Sequence, residues 1–105
     1  MSDALDRLFA TIAARKGADP AGSYTAKLLA EGVEKCAKKF GEEATEAVIA
    51  AISRDKTELA KESADVLYHL AVLWAASGIT PDEVYAVLRG REGRSGLEEK
   101  AARKG

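Results

Sequence analysis

GEEATEAVIAAISRDKTELAKESADVLYHL, residues 41–70, decides the fold. Apolar residues recur three and four positions apart on both sides of Ser53, Arg54 and Asp55, which predicts two helices. Asp55 followed by Glu58 is a capping-box pattern that starts the second of them. So short a turn permits only an antiparallel pair, in which residues equally far from Arg54 stand at the same height. Glu46 and Glu62 lie eight positions from Arg54, and Glu43 and Asp65 lie eleven. Two acidic i, i+3 pairs therefore face each other roughly 12 Å from the turn, at the ~1.5 Å rise of a helix.

Outward from this hairpin the spacing stays helical, and no alternating run predicts a strand. Residues 2–15 carry Leu5, Leu8, Phe9 and Ile12 on one face, followed by a glycine-marked loop over residues 16–22 with Pro20. Ser23 is the expected cap of a short helix through Leu29, and Gly32 loosens or breaks it. From Val33 to about Ser53 the stripe Val33, Cys36, Phe40, Ala44, Ala47, Val48, Ala51 keeps step across Gly41, so that glycine is expected inside the helix where a backbone or ligand comes close. The next helix runs to about Ser77 before Gly78. Thr80, Pro81 and Glu83 then announce a last one ending near Arg89.

The 105 residues suit one domain, with a charged, glycine-rich stretch over residues 90–105 expected to be mobile without a partner. At 47% hydrophobic the chain is no disordered tail, and a net charge of −1 excludes a globally basic nucleic-acid binder. Cys36 is the only cysteine, which rules out an internal disulfide and points to a reducing cytoplasm. The longest charge-poor stretch, residues 66–79, is too short and too polar to span a bilayer, so no membrane is expected.

The charge is unevenly spread. From Glu42 to Asp65 there are seven acids and three bases; from Arg89 to Lys104, six bases and three acids. Glu42, Glu43 and Glu46 share a helix face with Lys35 and Lys39, and like charges at this spacing repel by about 0.2–0.5 kcal/mol per exposed pair. On the facing helix Glu62, Asp65 and His69 share an edge beside an apolar arc of Leu59, Val66, Leu70, Leu73 and Trp74. Solvation alone would explain either acidic group, but their matched heights at the border of a core argue for a cation between them. All-oxygen ligands favour a hard ion, Mg²⁺ first and Mn²⁺ second. His69 is expected as a hydrogen-bonded neighbour of the site, with Cys36, Tyr68 and Trp74 as packing residues. The helix after Asp65 is apolar on so many sides that one short chain cannot cover it. The expected fold is thus all-α, an antiparallel helical bundle whose four-helix core is completed by a homodimer.

The string SYTAKLL at residues 23–29, then Gly32, Lys35 and Lys39, GEEATE at 41–46, ESADVLYHL at 62–70 and RSGLEEKAAR at 94–103 resemble the phosphoribosyl-ATP pyrophosphohydrolases of histidine biosynthesis. The acidic pairs alone resemble the wider all-α nucleoside triphosphate pyrophosphohydrolases; the SYT, KxGEE and SGxxEKAxR segments carry the narrower likeness. The resemblance implies Mg²⁺-dependent hydrolysis of phosphoribosyl-ATP to phosphoribosyl-AMP and pyrophosphate. It implies metal binding by Glu43, Glu46, Glu62 and Asp65, with Glu42 as an extra ligand or base. Glu42 and Glu43 are the candidates for accepting the proton of the attacking water. Lys35 and Lys39 are candidate phosphate ligands, joined by Arg91, Arg94, Ser95 and Lys100 if the basic tail closes on the nucleotide. Two other readings stand beside this one: a related hydrolase of (deoxy)nucleotides, and a helical dimerisation or ion-binding module without catalysis.

Overall fold

A computed structural model describes residues 3–92 of the chain, and within them it is all-helical. The order is α1 (Asp3–Ala14), a 3₁₀ turn (Pro20–Gly22), α2 (Tyr24–Glu31), α3 (Val33–Ile52), α4 (Lys56–Ser77) and α5 (Pro81–Gly90). No described helix is long and apolar enough to cross a membrane.

Most boundaries follow from local chemistry. Ser23 Oγ accepts the Ala26 N–H at 3.1 Å and opens α2. Gly32, at φ +97°, separates α2 from α3 in a conformation that a side chain would disfavour. Asp55 Oδ1 accepts the Glu58 N–H at 3.0 Å and opens α4. The expected reciprocal bond of that capping box is replaced: the Asp55 N–H donates to the Ala50 carbonyl at 3.3 Å. With the Arg54 N–H on Ala51 O, this makes a paired closure of α3, and it holds Arg54 at φ +59°, a region that non-glycine residues seldom enter. Gly78 closes α4 in the same way, with Ile79 N–H donating to Trp74 O and Gly78 N–H to Ala75 O.

Helices α3 and α4 form the expected antiparallel hairpin, and α1 and α2 pack on α4. The core gathers Ile12 of α1, Leu28 of α2, Cys36 of α3 and Ala71, Val72 and Ala75 of α4. Trp74 is buried and Tyr68 packs against this core, as expected, while the Cys36 thiol donates to Leu28 O at 3.3 Å. Tyr85 of α5 is buried and donates to Asp6 of α1 at 2.9 Å, tying the last described helix to the first.

Two expectations are corrected. Gly41 does lie inside α3, but a Cβ there would meet nothing within 4 Å, so no backbone among the described residues approaches it. The face that α4 buries within its own chain runs through small residues, Ala71, Val72 and Ala75. Leu59, Val66, Leu70 and Leu73 of the expected core arc are only half-buried. Alanines let α1 and α2 approach the α4 backbone closely, while Leu73 packs against the core from its margin. On α3, Val48, Ile49 and Ile52 are 55%, 57% and 75% exposed, so much of the uncovered apolar surface lies there rather than on α4. The Cα radius of gyration, 15.7 Å, exceeds the about 13 Å of a compact domain of 100 residues.

Candidate functional site

The height rule of the hairpin sets the site. Glu43 comes from the middle of α3, and Glu62 and Asp65 from α4, one turn apart on the same face. One carboxylate oxygen from each lies within 4.8 Å of the others. Glu62 is buried, at 8% exposure, and its Oε2 has no hydrogen-bond partner. An unpartnered buried carboxylate oxygen is costly unless it is protonated or meets a cation.

The electrostatics express that cost. The Glu62 carboxyl is pushed up to about 7, first by burial, then by hydrogen bonding to Glu58 and Glu46, then by the charges of Glu46 and Asp65. Glu43 is raised as well, by burial first and then by Glu46 and Asp65. Without a cation this corner of the hairpin thus favours holding a proton on a carboxylate. These are the properties of a hard-cation site, since a dication among the oxygens would remove the repulsion and satisfy Glu62 Oε2.

Around the three oxygens the other expected residues fall into place unevenly. Glu46 is exposed and lies outside the three-oxygen group, yet interacts with both Glu43 and Glu62. Glu42 is exposed and pairs with Lys39 at 3.4 Å, its i−3 neighbour. That contact is the main reason the Lys39 ammonium is held above its ordinary value. Lys35 stands half-buried one turn upstream of Lys39. Arg91 follows α5 and borders a groove with Ile79, Val84 and Val87. Arg94, Ser95 and Lys100, and with them most of the expected basic tail, lie outside the described residues.

His69 departs from expectation. It is buried beside the site, but its Nδ1 has no hydrogen-bond partner among the described residues. Burial, which outweighs the attraction of Asp65, keeps the imidazole below its ordinary pKa. Its ring is wedged between two tyrosines, with centroids 5.0 Å from Tyr68 and 6.4 Å from Tyr24, both edge to face. The Tyr68 hydroxyl in turn hydrogen-bonds Thr25 Oγ1.

On the turn side of the acids an open cleft of about 380 Å³ is lined by Glu46, Ile49, Ala50, Asp55, Glu58 and Glu62, among others. An acid-rich hairpin of this geometry suits hydrolysis of a polyphosphate, and the whole sequence decides the family. The family model described as phosphoribosyl-ATP pyrophosphohydrolase matches residues 5–92. The chain belongs to the phosphoribosyl-ATP pyrophosphohydrolase family.

Curated relatives agree along nearly the whole length. A protein of Parvibaculum lavamentivorans named phosphoribosyl-ATP pyrophosphatase is 67% identical over 99 residues, covering 94% of this chain and 91% of the relative. Proteins of the same name from Cereibacter sphaeroides and Paracoccus denitrificans are 64% and 62% identical, covering 94% and 95% of this chain and 96% and 93% of theirs.

Within this pyrophosphohydrolase, the sequence reading overlooked two contributors. Glu58, taken only as a capping acid, helps to raise the Glu62 carboxyl; its position four residues before Glu62 was the available signal. Tyr24, which entered only as part of the SYT segment, meets the His69 ring, and no spacing rule links positions so far apart in the chain.

Proposed function

We propose that this protein hydrolyses phosphoribosyl-ATP to phosphoribosyl-AMP and pyrophosphate, the second step of histidine biosynthesis, as a Mg²⁺-dependent cytoplasmic homodimer whose 105 residues form one domain. The observation that carries the reading is the convergence of the Glu43, Glu62 and Asp65 oxygens, together with the family match over residues 5–92.

Glu43, Glu62 and Asp65 would hold the ion, with Glu46 beside them as the fourth carboxylate. When bound, Mg²⁺ supplies neutralisation of phosphate charge and acidifies a water for attack on phosphorus. Lys39 and Lys35, upstream on α3, take phosphate oxygens of the substrate and draw it away from the acid-lined cleft. Lys39 is held by Glu42, so its ammonium is fixed at the edge of the carboxylate group before substrate arrives. Glu42, outside the three-oxygen group, is the carboxylate that would accept the proton of the attacking water; Glu43 is the alternative base. Arg91 and the residues after it, Arg94, Ser95 and Lys100, are the proposed cationic cover for the nucleotide.

The homodimer is supported by the apolar surface that the hairpin leaves open, Val48, Ile49 and Ile52 on α3 and the half-buried leucines of α4. A two-fold pairing of hairpins would cover it and complete a four-helix core. Sedimentation equilibrium at micromolar concentration is expected to give twice the chain mass, and a compact folded monomer would contradict the pairing.

The test of function is incubation of purified protein with phosphoribosyl-ATP, with Mg²⁺ or with chelator, following pyrophosphate release. Release with Mg²⁺ and none with chelator is expected. Release from deoxynucleoside triphosphates but not from phosphoribosyl-ATP would assign the chain to another reaction, and no release from any nucleotide would leave only an ion-binding module.

A further inference from the structure

Beyond the acids, the hairpin carries a second convergence. Lys39 lies fifteen residues before Arg54 and His69 fifteen after it, so the two stand level, one helical turn or ~6 Å farther from the turn than Glu43 and Asp65. Tyr24, the first residue of α2, joins them there: its ring meets His69 edge to face at 6.4 Å, with an interplanar angle of 86°. The Lys39 ammonium is within electrostatic reach of the Tyr24 phenol as well as of Glu42 and Glu43.

Tyr24 is 53% exposed, although His69 beneath it is buried. A half-exposed aromatic ring held against a buried imidazole, next to a cation and just past the proposed dication site, is a stacking platform for a planar heteroaromatic group attached to phosphates. The opposite side of the acids offers no equivalent. There the cleft carries, beyond the proposed metal ligands Glu46 and Glu62, the acids Asp55 and Glu58, which repel an anionic nucleotide. His69 Nδ1, buried and unpartnered, adds a polar atom beneath the platform whose hydrogen bond no described residue supplies.

We infer that Tyr24, positioned by the buried His69 beside Lys39, is the face on which the purine of the substrate stacks, and so sets recognition of the nucleoside end of the site. The inference rests on the proposed nucleotide hydrolysis for its substrate, but its binding arm is independent of turnover. Stacking of one base on one aromatic ring changes affinity by roughly ten- to a hundredfold.

Wild type, Tyr24→Phe and Tyr24→Leu are compared as full-length protein in two assays. In turnover of phosphoribosyl-ATP with Mg²⁺, Tyr24→Leu is expected to raise KM about tenfold or more, with the smaller change in kcat, and Tyr24→Phe to restore KM to within about threefold of wild type. In calorimetric titration with Mg²⁺ present, Tyr24→Leu is expected to lose AMP affinity by a like factor and to keep that for inorganic pyrophosphate. If wild type turns over phosphoribosyl-ATP and Tyr24→Leu matches it in KM, the platform is refuted. It is refuted equally if wild type binds no AMP, if the leucine variant loses AMP and pyrophosphate together, or if it instead changes the sedimenting mass. Failure of wild type to hydrolyse phosphoribosyl-ATP would refute the proposed reaction, while the AMP titration would still decide the role of Tyr24.

Discussion

Acidification should weaken Mg²⁺ binding at the proposed carboxylate site, and the pH at which it does so follows from Glu62. The metal-free carboxyl titrates near 7, because burial and the neighbours Glu58, Glu46 and Asp65 all disfavour its charge. A dication requires the ionised form, so protons compete with it. At about pH 8 roughly nine-tenths of Glu62 is ionised, and at about pH 6 roughly one-tenth, which weakens Mg²⁺ binding about tenfold between them from this group alone. Glu43, also raised, steepens the dependence. Stability of the metal-free protein moves the other way. The folded value of Glu62 lies above its ordinary 4.5, so its contribution is fully present below about 4.5 and is lost as the pH rises through about 7. Isothermal titration with Mg²⁺ in two buffers of different ionisation enthalpy measures both affinity and protons released. Release from Glu62 of about half a proton per ion near pH 7, rising towards one near pH 6, is expected, together with a metal-free Tm that falls from about pH 5 to about pH 8. In Glu62→Gln the Tm slope should flatten and Mg²⁺ affinity should fall at every pH. Mg²⁺ affinity independent of pH over this range, or uptake without proton release, would refute the reasoning.

Other outcomes follow from the same hairpin. Glu46→Gln or Asp65→Asn should lower turnover of phosphoribosyl-ATP by on the order of a hundredfold or more with the helical circular dichroism unchanged; a near-normal rate in either would overturn the metal assignment. Asp55→Ala removes the side chain that accepts the Glu58 N–H and should cost about 1 kcal/mol in chemical denaturation, with unaltered stability as the contrary result. Arg54→Gly relieves a left-handed backbone at the turn and should raise stability by about 1 kcal/mol; a loss of that size would mean that the Arg54 side chain holds the hairpin.

Much of this was legible before any coordinates, for physical reasons. Capping is local, so Ser23, Asp55 and Thr80 marked helix starts that the hydrogen bonds bear out. A short antiparallel turn fixes heights, so Glu43 and Asp65 could be paired by counting, and their oxygens do meet. What escaped depends on contacts distant in sequence. Helical angles placed the leucines of α4 in the core, but packing energy depends also on how closely backbones approach, and Ala71 and Ala75 win that contest. The imidazole of His69 was expected to find a partner, but at Nδ1 no described residue supplies one, and two tyrosine rings pack against it at near right angles. Glu58 looked like half of a capping box, yet Ala50 O takes the Asp55 N–H and Glu58 acts instead on the charge of Glu62.

The closure around Arg54 reaches further than its own surroundings. Because Asp55 and Arg54 both bond back into the end of α3, the loop has no slack, and it acts as the zero mark from which both acidic pairs are measured. A single residue inserted or deleted there would slide one helix by ~1.5 Å and rotate it by about 100° relative to the other. The carboxylates would then be out of phase although every one of them was still encoded. An exposed segment far from the chemistry should accordingly tolerate exchanges of side chain but no change of length.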